Sequence, residues 1–405
     1  MDAGTDSATL IRDYLKLGLR FDRLEDGYVD SFTGDPALRR EVQNEPAPDP
    51  ADLVRQANRL LTELPGALDE QRAAFVGAHL RALACAGRKF AGEDVGFVDE
   101  VEAYFDVRIT KGDPQRYEQA HAKLDEVLAG PGPLAERVQA HRAAEEIPPA
   151  RLEEAIHAFS SALRDRVRAT FPLPEQETIT YEVVTDKPWS GFNYYLGDYR
   201  STVAVNADLK QQMSNLPRLV AHESYPGHHT EHCRKEAGLV AGKGQAEQTI
   251  FLVNTPQCLM AEGLADLALY AAVGPDWGRW AAEIYADLGL RFDGERAATV
   301  SEATAALADV RQDAALMLHD EHRDVDEVVA FLKRWLLVND ERARQMLRFL
   351  SSPLWRAYTS TYVEGYRLLR GWLDDRPDGV SLTERFTTLL DEPLIPSSLR
   401  PSQVD

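Results

Sequence analysis

The stretch His222-Glu223-Ser224-Tyr225-Pro226-Gly227-His228-His229-Thr230-Glu231-His232 lies in a helical pattern running from Leu216 to Gly238. Asn215 stands at the N-cap position and Pro217 in the first turn. In the His-Glu-x-x-His pattern of zinc hydrolases, two histidines one turn apart hold the metal and the glutamate is the general base. Here the second histidine arrives two residues late, at His228. At about 100° per residue, positions six apart point to different faces of an unbroken helix. Pro226-Gly227 offers a repair. Proline has no N–H for the His222 carbonyl and its ring crowds that carbonyl, so the ladder opens there. Glycine beside it tolerates a wide turn. If two residues loop out, His228 swings back beside His222. The plainer alternative is a helix that ends at Tyr225 and restarts after Gly227, with histidines on the surface.

A second pattern overlaps the first. His228-His229-Thr230-Glu231-His232 fits the inverted arrangement His-x-x-Glu-His and needs no bulge. It places His228 and His232 on one helix face with Glu231 between them. Both readings use His228, and they differ in what completes the set.

Downstream, Asn254–Ala272 reads as a strongly apolar helix interrupted by Glu262 and Asp266. Carboxylates rarely sit on such a face unless paired or metal-bound, and the i,i+4 spacing puts both on one side. Glu262 suits a third zinc ligand, with Asp266 accepting the free ring N–H of a ligand histidine. A solvated acidic stripe is the other reading. Gly263 suits close packing against a neighbouring helix. A Zn2+ ion held by three protein ligands keeps a position for water and lowers that water's pKa to about 7, while Glu223 takes the proton. The developing oxyanion then needs a donor. Candidates are His319, Arg311, Tyr358, Tyr362 and Arg367, of which Tyr362 and His319 are preferred as catalytic groups. Cys233, beside His229 and His232, lacks a partner pair with structural-zinc spacing and reads as a buried thiol. No Gly-rich phosphate loop and no Gly-x-Ser-x-Gly elbow is present.

The run Leu219-Val220-Ala221-His222-Glu223-Ser224-Tyr225-Pro226-Gly227-His228-His229 resembles the His-Glu-x-x-Pro-Gly-His signature of a large bacterial family known as a domain of unknown function. That family is similar in fold to the thermostable carboxypeptidase Taq type, within the gluzincin metallopeptidases. Met260-Ala261-Glu262-Gly263-Leu264-Ala265-Asp266 resembles its Glu-Gly segment and the gluzincin Glu-x-x-x-Asp pattern. Tyr362-Val363-Glu364-Gly365 is similar to its Tyr-x-x-Gly segment. The likeness covers Trp189 to Pro396, with a weaker echo in Tyr14–Val29. It implies that His222, His228 and Glu262 ligate zinc, that Asp266 supports a ligand histidine and that Glu223 is the base. It also implies that the strand Thr202–Asn206 runs along the cleft, open to an extended peptide added as a further strand.

Most of the chain reads as helix, with good helix formers and apolar residues at three- and four-residue spacing over Ala8–Arg20, Pro50–Leu64, Asp69–Ala84, Pro114–Leu128 and Pro149–Thr170. Asp35-Pro36, Asp49-Pro50, Asp113-Pro114 and Pro148-Pro149 look like helix starts. From Thr178 to Val205 the residues turn β-branched and aromatic, which predicts short strands separated at Lys187-Pro188 and Gly197-Asp198. After Val205 the pattern returns to helix and stays there. The expected architecture is therefore mainly α, a large helical fold of the carboxypeptidase Taq/gluzincin metallopeptidase type, with one small antiparallel sheet beside the active-site cleft. Glu145–Ala150 reads as a hinge. It divides an N-terminal helical lobe, 1–148, from a catalytic helical lobe, 149–405, with the sheet at about 178–206 and the metal site at 222–266.

Composition narrows the partners. The 405 residues are 44% hydrophobic and 27% charged, ordinary for a folded chain with a large core. A net charge of −21 argues against nucleic acid, which needs a basic surface. Three scattered cysteines make no disulfide framework. Met1 to Leu15 lacks the apolar core of a secretory signal, and no apolar run approaches the ~18 residues of a membrane span. The expectation is a cytoplasmic protein with neither a nucleic-acid nor a membrane partner, hydrolysing a peptide or a small amide. Its leading function is a zinc metallopeptidase, carboxypeptidase-like by resemblance, acting on short or unfolded peptides. A zinc amidohydrolase of a small metabolite and a metal-free binding protein of the same fold are the alternatives.

Overall fold

In the computed structural model, residues 6–187 and 189–400 are described. Met1–Thr5, the residues after Arg400, and Pro188 of the expected inter-strand turn lie outside them. The fold is mainly helical with small sheets. Helices Ser7–Asp22, Pro50–Glu63, Pro114–Val127 and Pro149–Thr170 follow the sequence pattern closely, and Glu70–Phe90 runs a turn and a half beyond the expected end. The Asp-Pro steps work as anticipated. Asp35, Asp49 and Asp113 each accept a backbone N–H from the first turn, and the proline fills a position whose N–H would have had no acceptor.

The region 178–206 forms three strands, β2 (Thr178–Val184), β3 (Gly191–Gly197) and β4 (Arg200–Asn206), in the order β2-β4-β3. Two expectations need correction. First, the sheet is mixed: β3 and β4 make an antiparallel hairpin, but β2 lies parallel to β4. Only two residues join β3 to β4, whereas β2 reaches its place across the longer connection to β3. Second, β4, which contains Thr202–Asn206, is the central strand. Both its edges are already hydrogen-bonded, so no substrate strand can add there. The strand running beside the candidate site is β3.

A second sheet pairs β1 (Val29–Phe32) with β5 (Ile250–Leu252), although the sequence pattern after Val205 reads as helix alone. This pair crosses the expected lobe boundary, as do Arg72 on Glu247 and Arg356 on Glu100. One continuous apolar core runs from Leu10 to Leu399. The expected hinge at Glu145–Ala150 is tied down, because Ile147 N–H donates to the Gln211 carbonyl and Met213 N–H to the Glu145 carbonyl, at 2.8 Å each. No single described helix is long and apolar enough to cross a membrane.

Candidate metal centre

The motif helix Leu216–Glu223 stops where Pro226 was expected to stop it, and a new helix, His228–Lys235, begins after Gly227. Asn215 occupies the N-cap position without a capping side-chain bond. Between the two helices the ladder lengthens by two residues. Gly227 N–H donates to the Ala221 carbonyl at 3.0 Å and Thr230 N–H to the Ser224 carbonyl at 3.2 Å, so each bond spans six residues where a regular helix spans four. The Tyr225-Pro226 peptide is cis. A Cβ on Gly227 would lie 1.9 Å from the His222 carbonyl oxygen, so the folded-back turn requires glycine. Ser224, looped out, meets the Tyr181 hydroxyl at 2.5 Å.

The turn carries His228 back to His222, with the two Nε2 atoms 3.1 Å apart. Glu262 enters from the helix Pro256–Val273, its Oε2 3.2 Å from His222 Nε2 and 3.9 Å from His228 Nε2. That helix crosses the helix Thr359–Asp374 at glycine on glycine. A Cβ on Gly263 would stand 2.5 Å from the Gly365 backbone, and this contact sets Tyr358 and Tyr362 over Glu262. Tyr358 donates to Glu262 Oε1 at 2.7 Å, while the buried Oε2 has no hydrogen-bond partner. His222 Nδ1–H donates to Asp266 Oδ1 at 3.0 Å, which leaves Nε2 as the bare nitrogen facing the cluster.

Three lone-pair donors thus converge on one point, and the three residues offer ligand atoms that all lie within 4.8 Å of one another. Ligands at 2.0–2.1 Å around a tetrahedral zinc stand about 3.3 Å from each other. The observed triangle and the orphaned carboxylate oxygen fit such an ion. Electrostatics agree that the cluster is unfinished without a cation. Burial lowers the pKa of His222, yet the neighbouring Asp266 and Glu262 carboxylates outweigh that and hold it well above the usual histidine range, so the ring favours the positive charge that the cluster lacks. Burial lowers His228, and neighbouring His222 lowers it further. Glu262 would be raised by burial, but the two histidines and Tyr358 hold it low.

Glu223 is buried beside the cluster and raised to about 7, by burial first and then by Glu262, Asp30 and Asp266 against the opposing pull of His222. Its backbone carbonyl accepts from Asn193 Nδ2 at 2.6 Å, and a Cβ on Gly191 would lie 3.2 Å from Glu223 Oε1. Strand β3 therefore packs directly on this glutamate. Tyr362 faces Glu262, Asp266 and Glu223; burial and these carboxylates hold its phenol well above its usual range, although 37% of the residue is open to solvent. Arg311 faces Tyr362 and Asp266.

Two expected residues are placed elsewhere. His319 is a correction: its Nε2–H donates to the Leu350 carbonyl at 2.7 Å and its ring packs on Phe97, so it fastens helix ends. Arg367 is engaged with Glu364 and Asp309. The inverted pattern is not assembled either. His232 stacks on Tyr195 with ring centroids 4.5 Å apart, and Glu231 pairs with Lys235 at 2.6 Å. Cys233 is buried against His229. Sequence reading missed Asp30, whose charge helps to raise Glu223, and Asn193, which donates to the Glu223 carbonyl. Asp30 interrupts the β-prone run Tyr28-Val29-Asp30-Ser31-Phe32, a signal of the same kind that drew attention to Glu262.

No family model and no curated protein matches this chain. Among solved structures, a candidate lipoprotein from Colwellia psychrerythraea superposes with a TM-score of 0.52 at 13% identity, covering 86% of this chain and 68% of that one. A candidate lipoprotein of unknown function from Shewanella oneidensis gives 0.50 at 13% identity, covering 86% and 71%. These two share the fold. An M32 carboxypeptidase from Deinococcus radiodurans R1 aligns over 95% of this chain and 88% of its own at 12% identity, with a TM-score of 0.35, too loose a superposition to add to what the residues say.

Proposed function

We propose that this chain is a zinc-dependent hydrolase that cleaves amide bonds in short peptides. His222, His228 and Glu262 hold the ion, Asp266 orients His222, Glu223 is the general base and Tyr362 is the donor to the developing oxyanion. The observation that carries this reading is the convergence of two imidazole Nε2 atoms and one carboxylate oxygen without a hydrogen-bond partner at 3.1–3.9 Å, beside the buried Glu223. A bound zinc ion would supply a Lewis acid that polarises the amide carbonyl and acidifies water.

The chain's own residues account for the rest. Glu223 takes a proton from the attacking water and returns it to the leaving amine. Tyr358 fixes one oxygen of Glu262 so that the other is presented to the ion. The Tyr362 phenol, kept protonated by its surroundings, is available to donate.

Metal analysis of protein purified without added zinc, combined with cleavage of a peptide library, tests the reading. About one zinc per chain is expected. Glu223→Gln should keep the zinc and lose roughly 10²–10⁴-fold in rate. His222→Ala should lose the zinc and His232→Ala should retain it. Cleavage that survives Glu223→Gln would refute the base, and zinc lost only with His232 would restore the inverted pattern.

A further inference from the structure

One turn beyond His228, the second motif helix carries His232, which lines a recess that none of the three candidate metal ligands lines. Other walls come from Ser31 and Phe251 on the paired strands β1 and β5, and from Gln257 in the first turn of the helix Pro256–Val273. Gln248, in the short turn Ala246–Thr249 that leads into β5, lines it as well. The Tyr195 ring stacks on His232 with centroids 4.5 Å apart, and the Phe251 ring stands 5.7 Å from His232. The recess offers about 20 Å³ and opens to solvent, which exceeds the ~10–15 Å³ that one water needs.

The charged residues of this recess are already engaged. Lys235 Nζ pairs with Glu231 Oε1 at 2.6 Å, and Glu236 accepts from the Tyr195 hydroxyl at 2.5 Å and the Asp198 N–H at 3.1 Å. Burial holds His232 well below the usual histidine range, so its ring is uncharged at neutral pH. The groups left over are neutral. Gln257 is only 6% exposed and its Oε1 is buried without a hydrogen-bond partner, as are both Nε2 and Oε1 of Gln248. Buried polar atoms in folded proteins are nearly always paired, so three unpaired ones around a single recess point to a ligand. Their chemistry selects it. Two carbonyl oxygens call for two N–H groups, and one amide nitrogen calls for an acceptor; a primary carboxamide supplies all three. A carboxylate has no N–H to give and an ammonium group has no acceptor, and either would bring in a charge that no free countercharge meets.

We propose that this recess binds a primary carboxamide, carried either by a glutamine side chain or by a small free amide. Its N–H groups donate to the Oε1 atoms of Gln248 and Gln257, and its carbonyl accepts from Gln248 Nε2. The rings of Tyr195, His232 and Phe251 give the planar group flat walls. Along the helix His228–Lys235 the level of His232 is about 6 Å beyond that of His228, at 1.5 Å per residue. The carboxamide site shares no ligand with the metal centre, so it stands whether or not the chain is a hydrolase.

Calorimetric titration with N-acetylglutamine methylamide, and with its glutamate and methionine counterparts, tests the proposal. Wild type should prefer the glutamine probe by about ten- to hundredfold, the range of two or three neutral hydrogen bonds. Gln248→Met and Gln257→Met keep the length of the side chain and remove its amide, and each should bring the three probes to within a few-fold of one another. Thermal melting separates loss of recognition from loss of fold; should the buried Gln257 not tolerate replacement, the half-buried Gln248 still carries the test. Competition by propionamide identifies the source. Displacement that vanishes in Gln248→Met assigns a free amide, whereas a preference confined to the peptide probes assigns a glutamine side chain. Equal affinity of wild type for the three probes, or a preference that persists in a folded Gln248→Met, overturns the proposal. Binding of no probe at all leaves ordered water as the occupant and overturns it too. Zinc content should be the same in wild type and both variants; zinc lost with either would overturn the independence of the recess from the metal centre.

Discussion

Glu177 and Glu262 both bring a carboxylate to the segment His222–His232, one accepting from four side chains and the other leaving an oxygen without a donor. Glu177 Oε1 accepts from Arg164 at 2.9 Å and Arg168 at 2.7 Å, and Oε2 from Tyr225 at 2.7 Å and His229 at 3.1 Å. His229 in turn accepts from the Ser201 hydroxyl at 2.8 Å. Every polar atom in that cluster is satisfied, and its task is to hold the folded-back turn in place. Three residues away, His222, His228 and Glu262 converge at 3.1–3.9 Å, with Glu262 Oε2 left without a hydrogen-bond partner. A buried polar network that is fully satisfied rigidifies, while one that is incomplete marks a place where something binds. The eight residues His222 to His229 thus carry alternating duties, with Tyr225 and His229 facing the lock and His222 and His228 facing the site.

This contrast predicts opposite responses to removing a glutamate. Glu177→Ala should cost about 3 kcal/mol, the lower end for a broken buried pair because Arg164 and Arg168 are about two-fifths exposed. Denaturant unfolding measures it. Burial would raise the Glu177 pKa, but the donors from His229, Tyr225, Arg168 and Arg164 overcome that and hold it at about 2. A depressed carboxylate contributes its full stability above its unfolded pKa. Wild type should therefore lose stability as pH falls from about 4.5 to about 2, and Glu177→Gln should lose that slope. Glu223→Gln should act the other way. Its folded pKa is raised, so the charged form is penalised as pH climbs from about 4.5 through about 7. In metal-free protein at pH 8 the substitution should stabilise by about 1–3 kcal/mol, the cost of a buried charge without its counter-ion. Equal destabilisation by both substitutions would dissolve the distinction between lock and site.

How far the sequence shows these features depends on their range. The Asp-Pro helix starts and the break at Pro226-Gly227 are local chemistry, and the fold keeps both. Glu262 and Asp266 stand out because acids are conspicuous on an apolar helix, and both reach the cluster. What is lost is long-range. β1 and β5 are separated by more than 200 residues, so neither short run announces its partner, and the register slip at Asp30 exists only once they pair. Strand order is likewise invisible, because alternation fixes faces but not neighbours, and β4 ends in the centre. His319 shows the limit for single residues. A histidine closing an apolar run reads alike whether it faces a cleft or caps a neighbouring carbonyl.

The smaller predictions refine the incomplete side of the contrast. Asp266→Asn keeps an acceptor for His222 Nδ1–H but removes the charge that makes the histidine a better ligand, and should weaken zinc binding by about 10–100-fold in a chelator competition. Tyr358→Phe should have the least effect. Its hydroxyl gives Glu262 Oε1 a donor at 2.7 Å, and a single such bond is worth about 1.5–3 kcal/mol to a charged acceptor when nothing replaces it. Replacement is available here, because Glu262 freed from Tyr358 can turn both oxygens toward a bound cation. Stability of the metal-free protein should fall by about 1 kcal/mol, and zinc affinity should change by only a few-fold, since the carboxylate trades one partner for another. Measured together, the two numbers decide what Tyr358 is for. A fall in stability with zinc affinity nearly unchanged makes it a support for the empty carboxylate. Zinc affinity falling as far as in Asp266→Asn would mean that the orphaned Oε2 depends on Tyr358 for its aim, and that the site is built more rigidly than its unsatisfied atoms imply.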